Sequence, residues 1–158
     1  MEALSSHIHS IRKVSIGSLQ KALERLTTHP APAGEISSSY FSEALGCSAD
    51  DARGLLELWR IFAFVDYSDN PIKRWVTFSS LSPADQQRLL RALLEVIFKA
   101  PDGTTVATAA EEHPDREDMI LWFASHHDLT RSAAEHADQI YRTVQAFVDN
   151  PVETKSTA

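Results

Sequence analysis

From Ile16 to Val148 the apolar residues recur three and four positions apart in segment after segment, and that period breaks only once, between Phe64 and Phe78. A chain patterned this way must fold as packed amphipathic helices, because each apolar stripe has to be covered by another. Ile16, Leu19, Leu23 and Leu26 form the first stripe, with Lys21, Glu24 and Arg25 on the other face. His29-Pro30-Ala31-Pro32-Ala33-Gly34 ends it, since each proline removes a backbone donor and fixes φ. Phe41, Ala44 and Leu45 predict a short second helix stopped by Gly46. Ser48-Ala49-Asp50-Asp51 is a capping-box variant that opens a third, whose stripe is Ala52, Leu55, Leu56, Trp59, Phe62 and Ala63.

At the break, Phe64-Val65-Asp66-Tyr67 reads as extended and Asp69-Asn70-Pro71 as a turn. Arg74-Trp75-Val76-Thr77-Phe78 alternates like a returning strand. Three helices followed by a small hairpin is the order of a winged helix. The rest is helical again. Ser82-Pro83-Ala84-Asp85 starts a helix that buries Leu90, Leu93, Leu94, Ile97 and Phe98. Pro101-Asp102-Gly103 is a turn, and Val106 to Glu111 supplies one or two helical turns. Asp115 caps a helix with Met119, Ile120, Trp122 and Phe123, and Thr130 caps the last, where Ala133, Ala137, Ile140, Tyr141, Val144, Phe147 and Val148 keep strict spacing to Asn150-Pro151. The expected fold is therefore mostly α: a winged-helix-like unit over 14–81, packed on a helical half over 82–150 as one compact domain. Residues 1–13 read as a flexible arm and 151–158 as a disordered tail.

The charge is uneven. The 158 residues sum to −7, with −1 up to Leu81 and −6 from Ser82 onward. Phosphate binding needs clustered Lys and Arg, so the second half is excluded from nonspecific nucleic-acid or anionic-lipid contact, whereas the first half is not. One cysteine, Cys47, excludes an internal disulfide framework and a four-Cys zinc site. No apolar run approaches the ~20 residues that span a bilayer. The opening Met1-Glu2-Ala3-Leu4-Ser5-Ser6-His7 lacks a basic segment before a hydrophobic block, and a cytoplasmic protein with no membrane association is expected.

Leu55-Leu56-Glu57-Leu58-Trp59-Arg60-Ile61-Phe62-Ala63-Phe64-Val65-Asp66 followed by Asn70-Pro71 resembles a prokaryotic family catalogued as a domain of unknown function. Leu89 to Phe98, Pro101-Asp102-Gly103, Met119 to Phe123 and His127-Asp128-Leu129-Thr130 are similar too, so the likeness runs over roughly residues 16 to 148. Ala63 stands where the family has glycine, and Ile72-Lys73 where it has Pro-Thr. The resemblance implies a winged-helix-like half with a helical extension, and brings no catalytic residues.

The residues themselves offer little chemistry. His126 and His127 point about 100° apart on a helix, and no histidine has a partner at ligand spacing, so no metal is expected. Ser37-Ser38-Ser39 lacks a nucleophile elbow, Cys47 reads as a small part-buried thiol, and the pairs Asp50/Asp51, Glu111/Glu112 and Glu117/Asp118 are solvated helix-end charge. Five scattered glycines form no phosphate loop. Neither an enzyme, a cofactor nor a small-molecule substrate is expected. The expected function is a non-catalytic interaction module, a subunit or adaptor of a prokaryotic complex that binds a protein partner or itself. The alternative is a DNA-binding regulator of winged-helix type. For either, the contact residues are Lys73, Arg74 and Trp75 on the wing, Arg53 and Arg60 on the third helix, and Arg12 and Lys13 on the arm. Trp75 is expected to be partly exposed in the isolated chain; if it is covered, the acidic second half becomes the binding surface.

Overall fold

The computed structural model describes residues 11–149 apart from Tyr67, so most of the expected arm and the whole tail, 151–158, lie outside the described residues. Eight helices are present among them: α1 (Ile16–Thr28), α2 (Ser38–Leu45), α3 (Ala49–Ile61), α4 (Lys73–Phe78), α5 (Pro83–Ile97), α6 (Val106–Glu112), α7 (Arg116–His126) and α8 (Arg131–Asp149). The helix starts follow the capping residues. Ser15, Ser48, Ser82 and Thr105 each accept the amide N–H three residues on, Asp115 accepts that of Glu117, and Thr130 that of Ala133. Gly46 stops α2 in the left-handed region at φ 71°.

Two aromatic centres lie in one continuous core. In the first, Trp59 meets Phe41 at 5.6 Å, Phe64 at 5.5 Å and Trp75 at 6.4 Å between ring centroids. In the second, Phe98 meets Phe123 at 6.1 Å and Tyr141 at 5.6 Å, both edge-on. Gln86 ties the halves: its side-chain amide is buried and donates to the carbonyls of Thr27 (3.1 Å) and Phe78 (2.9 Å). Helix α8 packs on α1, α5 and α7 and so runs through the whole assembly.

The mostly helical class holds, but the hairpin of a winged helix is not present among the described residues. Extended pairing shrinks to one antiparallel bridge, Val65 with Pro71, flanked by Asp66 N–H to Asn70 O and Ile72 N–H to Phe64 O, both 3.0 Å. The turn is where Asp69-Asn70-Pro71 put it. The returning strand is instead helix α4, opened when Trp75 and Val76 donate to the Ile72 carbonyl. The reason is burial: Trp75 and Phe78, three apart, both face the core, while Val76 between them is 55% exposed. A strand would have placed Trp75 and Phe78 on opposite faces.

The arm also departs from expectation. Of its three described residues Ile11 is buried, and the backbone of Lys13, next to buried Val14, crosses α3 at Gly54. Among the described residues no helix is long and apolar enough to cross a membrane.

Candidate functional site: a groove along helix α8

The residues expected to form a contact surface on the first half are mostly engaged within the chain. Trp75 is 3% exposed and sits edge-on to Tyr40 and Trp59, so it is core rather than a partly exposed wing residue. Arg74 reaches back and donates to the Phe62 carbonyl at 2.7 Å. Arg60 donates to both oxygens of Asp69 (2.7 and 2.9 Å) and to Glu57 (2.9 Å), and Asp69 above all raises its pKa. Arg60 and Arg74 thus pin the same loop, 62–72, from its two ends. Arg53 is exposed and paired with Asp50. Arg12, Lys13 and Lys73 are exposed and make no ion pair among the described residues.

Helix α3, the expected recognition helix, is covered on most of its circumference. Ala52, Gly54, Leu55, Leu56, Leu58, Trp59 and Ile61 are all buried. Asp51 in its first turn belongs to the fold: it accepts from the Ser15 N–H (3.2 Å) and from the hydroxyls of Ser15 and Ser18 (both 2.7 Å). Burial pushes its carboxyl up, but these bonds and the charge of Lys13 outweigh that and hold it below the usual carboxylate value.

Among the described residues an open concave surface lies in the acidic half. A hollow of about 260 Å³ between α6, α7 and α8 is floored by Val106, Ala107, Ala110 and Met119. A second, of about 160 Å³, lies between α5 and α8, and the two share Tyr141 and Gln145, so they form one groove along α8. Its spine is Asp138, Tyr141, Arg142, Gln145, Val148 and Asp149, spaced as one helical face.

Asp138 is the buried anchor at one end, only 2% exposed. Its carboxylate takes the Arg142 Nε on both oxygens at 3.0 Å and the Arg116 Nε at 3.3 Å, the pairing a buried charge requires. In the middle, Tyr141 points its hydroxyl at Glu95, 3.5 Å away. Burial, then the Glu95 charge, pushes the phenol up to about 12, so it stays a protonated donor at neutral pH. At the far end Arg91 pairs with Asp149 at 2.8 Å, and Gln87 donates to the Val148 carbonyl at 2.8 Å, fixing the end of α8. Gln145, exposed between the hollows, makes no hydrogen bond among the described residues and presents both a donor and an acceptor.

Of the remaining reactive residue types, His113 lines the first hollow, its Nε2 4.0 Å from a Glu112 carboxylate oxygen, whereas Cys47, His126 and His127 do not line the groove. Burial and then the charge of Asp51 raise the Cys47 thiol, which keeps it protonated. His127 is buried, with Nε2 at 3.0 Å from the Phe98 carbonyl, whereas exposed His126 stacks on Trp122 at 5.1 Å. Among the described residues no three His, Cys, Asp or Glu side chains gather as a metal site. A slot beside Trp59, lined by Arg25, Tyr40 and Trp75, has only about 10 Å³ of free space.

Tyr141 lies in the core stripe as the spacing predicts, while nothing in the spacing singles out Glu95, Arg142 or Gln145. One signal was available: Asp138 directly follows Ala137 on the apolar face of the last helix, with Arg142 four residues on. A carboxylate at that position needs a cation at i+4. No family model, curated protein or solved structure matches the chain, so the family likeness rests on the residues quoted for it.

Proposed function

We propose that this chain is a non-catalytic interaction module, a subunit or adaptor of a prokaryotic protein complex, and that it binds its partner through the groove along α8. The observation behind this reading is the groove itself: two adjoining hollows with an apolar floor and a rim of fixed polar groups. Three of the polar groups along it favour binding over catalysis. Tyr141 is protonated near neutrality, Asp138 is neutralised by two guanidiniums, and Gln145 has no acid–base chemistry.

A DNA-binding regulator is the second reading, favoured by the exposed cations Arg12, Lys13 and Lys73, which make no ion pair among the described residues. It is the weaker one. The open face of α3 carries Asp50, Asp51 and Glu57 against Arg53 and Arg60, and Arg60 and Arg74 are already engaged with the loop they pin.

The two readings separate in paired measurements. A photo-crosslinking amino acid at Gln145 should trap a discrete protein in cells, lose it when Ala110→Trp fills the hollow, and trap nothing when placed at Val76. Fluorescence anisotropy with a random DNA duplex at low salt should stay flat. Trapping from Val76 alone, or duplex binding that Lys73→Glu abolishes, would reject the groove as the functional surface.

A further inference from the structure

We infer that the groove takes a basic amphipathic helix, with a Lys or Arg side chain on Glu95 and an apolar side chain in the hollow floored by α6. This rests on the groove being the binding surface, and adds the chemistry of the partner.

The charges around the groove point to a cationic partner. Three carboxylates belong to it, and two have cations: Asp138 has Arg116 and Arg142, and Asp149 has Arg91. Glu95, half-buried on α5, has none within ion-pair distance among the described residues; its contact is the neutral Tyr141 hydroxyl at 3.5 Å. A partly desolvated carboxylate with only a neutral donor gains most from an added ammonium or guanidinium. The wider field agrees, because the half of the chain that holds the groove carries −6 and would draw in a basic segment from a distance.

The shape indicates a helix. From Asp138 to Asp149 the spine of α8 is about 16 Å long, or three turns of a helix lying alongside. Apolar anchors at i, i+3 and i+4 of such a helix suit the hollow over Ala107, Ala110 and Met119, the helix-in-groove mode of recognition. The groove also sets a direction. At the Asp138 end two guanidiniums, Arg142 and Arg116, share one carboxylate and would repel a cation, whereas Arg91 beside Glu95 is matched by Asp149, so the basic residue belongs over Glu95 and the apolar anchors lie toward α6.

The probes are two fluorescein-labelled peptides of about 18 residues, long enough to be helical, one built of Leu and Lys and the other of Leu and Glu. Anisotropy should show the Leu/Lys peptide binding, more weakly as salt rises from about 50 to 300 mM. Glu95→Gln should weaken it about tenfold, whereas Asp118→Asn, with the same change in net charge on an exposed site outside the groove, should change it by less than about twofold. Ala110→Trp, at an exposed position, should abolish it, with circular dichroism confirming that all variants keep the parent's helicity. Equal weakening by Glu95→Gln and Asp118→Asn would overturn the proposal, because the peptide would then be reading bulk charge. If the Leu/Glu peptide binds instead and Ala110→Trp blocks it, the groove survives as a binding surface and the basic partner does not. If Ala110→Trp affects neither peptide, the groove reading falls as well.

Discussion

Ala63 holds a backbone position that glycine would suit better, whereas Gly54 holds one where a β-carbon has no room. Ala63 follows the last turn of α3 at φ 61°, in the left-handed region. Its N–H bonds to Arg60 O at 3.0 Å, and that of Phe64 to Trp59 O at 2.8 Å, with the Phe64 and Trp59 rings in contact. That is a Schellman helix stop with alanine where glycine is normal. The left-handed conformation costs a β-carbon about 1–2 kcal/mol, and glycine's extra unfolded-state entropy returns about half of it. Ala63→Gly should therefore stabilise the protein by about 0.5–1 kcal/mol in urea unfolding; a loss would show that the alanine methyl is needed for packing. Gly54 is the reverse case. A helix-interior Gly→Ala usually gains about 1 kcal/mol, but a β-carbon here would lie 2.6 Å from Val14 Cγ2 and 3.1 Å from the Lys13 carbonyl. Because Val14 is stiff and the carbonyl is backbone, Gly54→Ala should lift the arm off α3 and cost about 1–3 kcal/mol, and Val14→Ala in the same chain should recover part of it.

At the scale of elements, what was legible in the sequence was what rests on caps and stripes. Ser48, Ser82, Asp115 and Thr130 start helices as read, and Gly46 stops one. Residues 74–78 misled because five residues span little more than one helical turn, too short to tell a period of 2 from one of 3.6. Only the tertiary demand to bury both Trp75 and Phe78 decides it. Trp75→Ala should accordingly cost about 3–5 kcal/mol in thermal or urea unfolding, the price of a large core aromatic; near-neutral stability would return Trp75 to the surface. The groove was illegible for a related reason: its residues come from α5, α6, α7 and α8, and no local pattern reports that they converge. Asp51 is a further tie between elements, joining the start of α3 to the start of α1. Its folded pKa lies below the unfolded value of about 3.9, so its contribution is complete above that value and is lost as pH falls through the folded pKa. Asp51→Asn should destabilise by about 1–2 kcal/mol at pH 7, and the gap to the parent should close as unfolding is repeated below about pH 4. A gap independent of pH would mean that the carboxylate charge is not what holds the two helices.

On the scale of the molecule, α8 is a scaffold and, on the proposal made above, the binding surface as well. One side packs on α1, α5 and α7 through Ala134, Ala137, Ile140 and Val144, and the adjoining face, from Asp138 to Asp149, borders the groove. A site built on a long, well-packed helix needs little ordering on binding, which suits a docking module. The first half, with Arg60 and Arg74 pinning a loop and its aromatic residues in the core, supports that scaffold. The most direct measurement is a nitrogen-15 chemical-shift titration of the full chain with the Leu/Lys peptide. The expected result is perturbation concentrated at Glu95, Ala110, Tyr141 and Gln145, with the amides of Lys73 to Val76 unmoved. Perturbation centred on Lys73 to Val76, or spread evenly over the acidic surface, would contradict the assignment of the groove as the surface through which this protein binds.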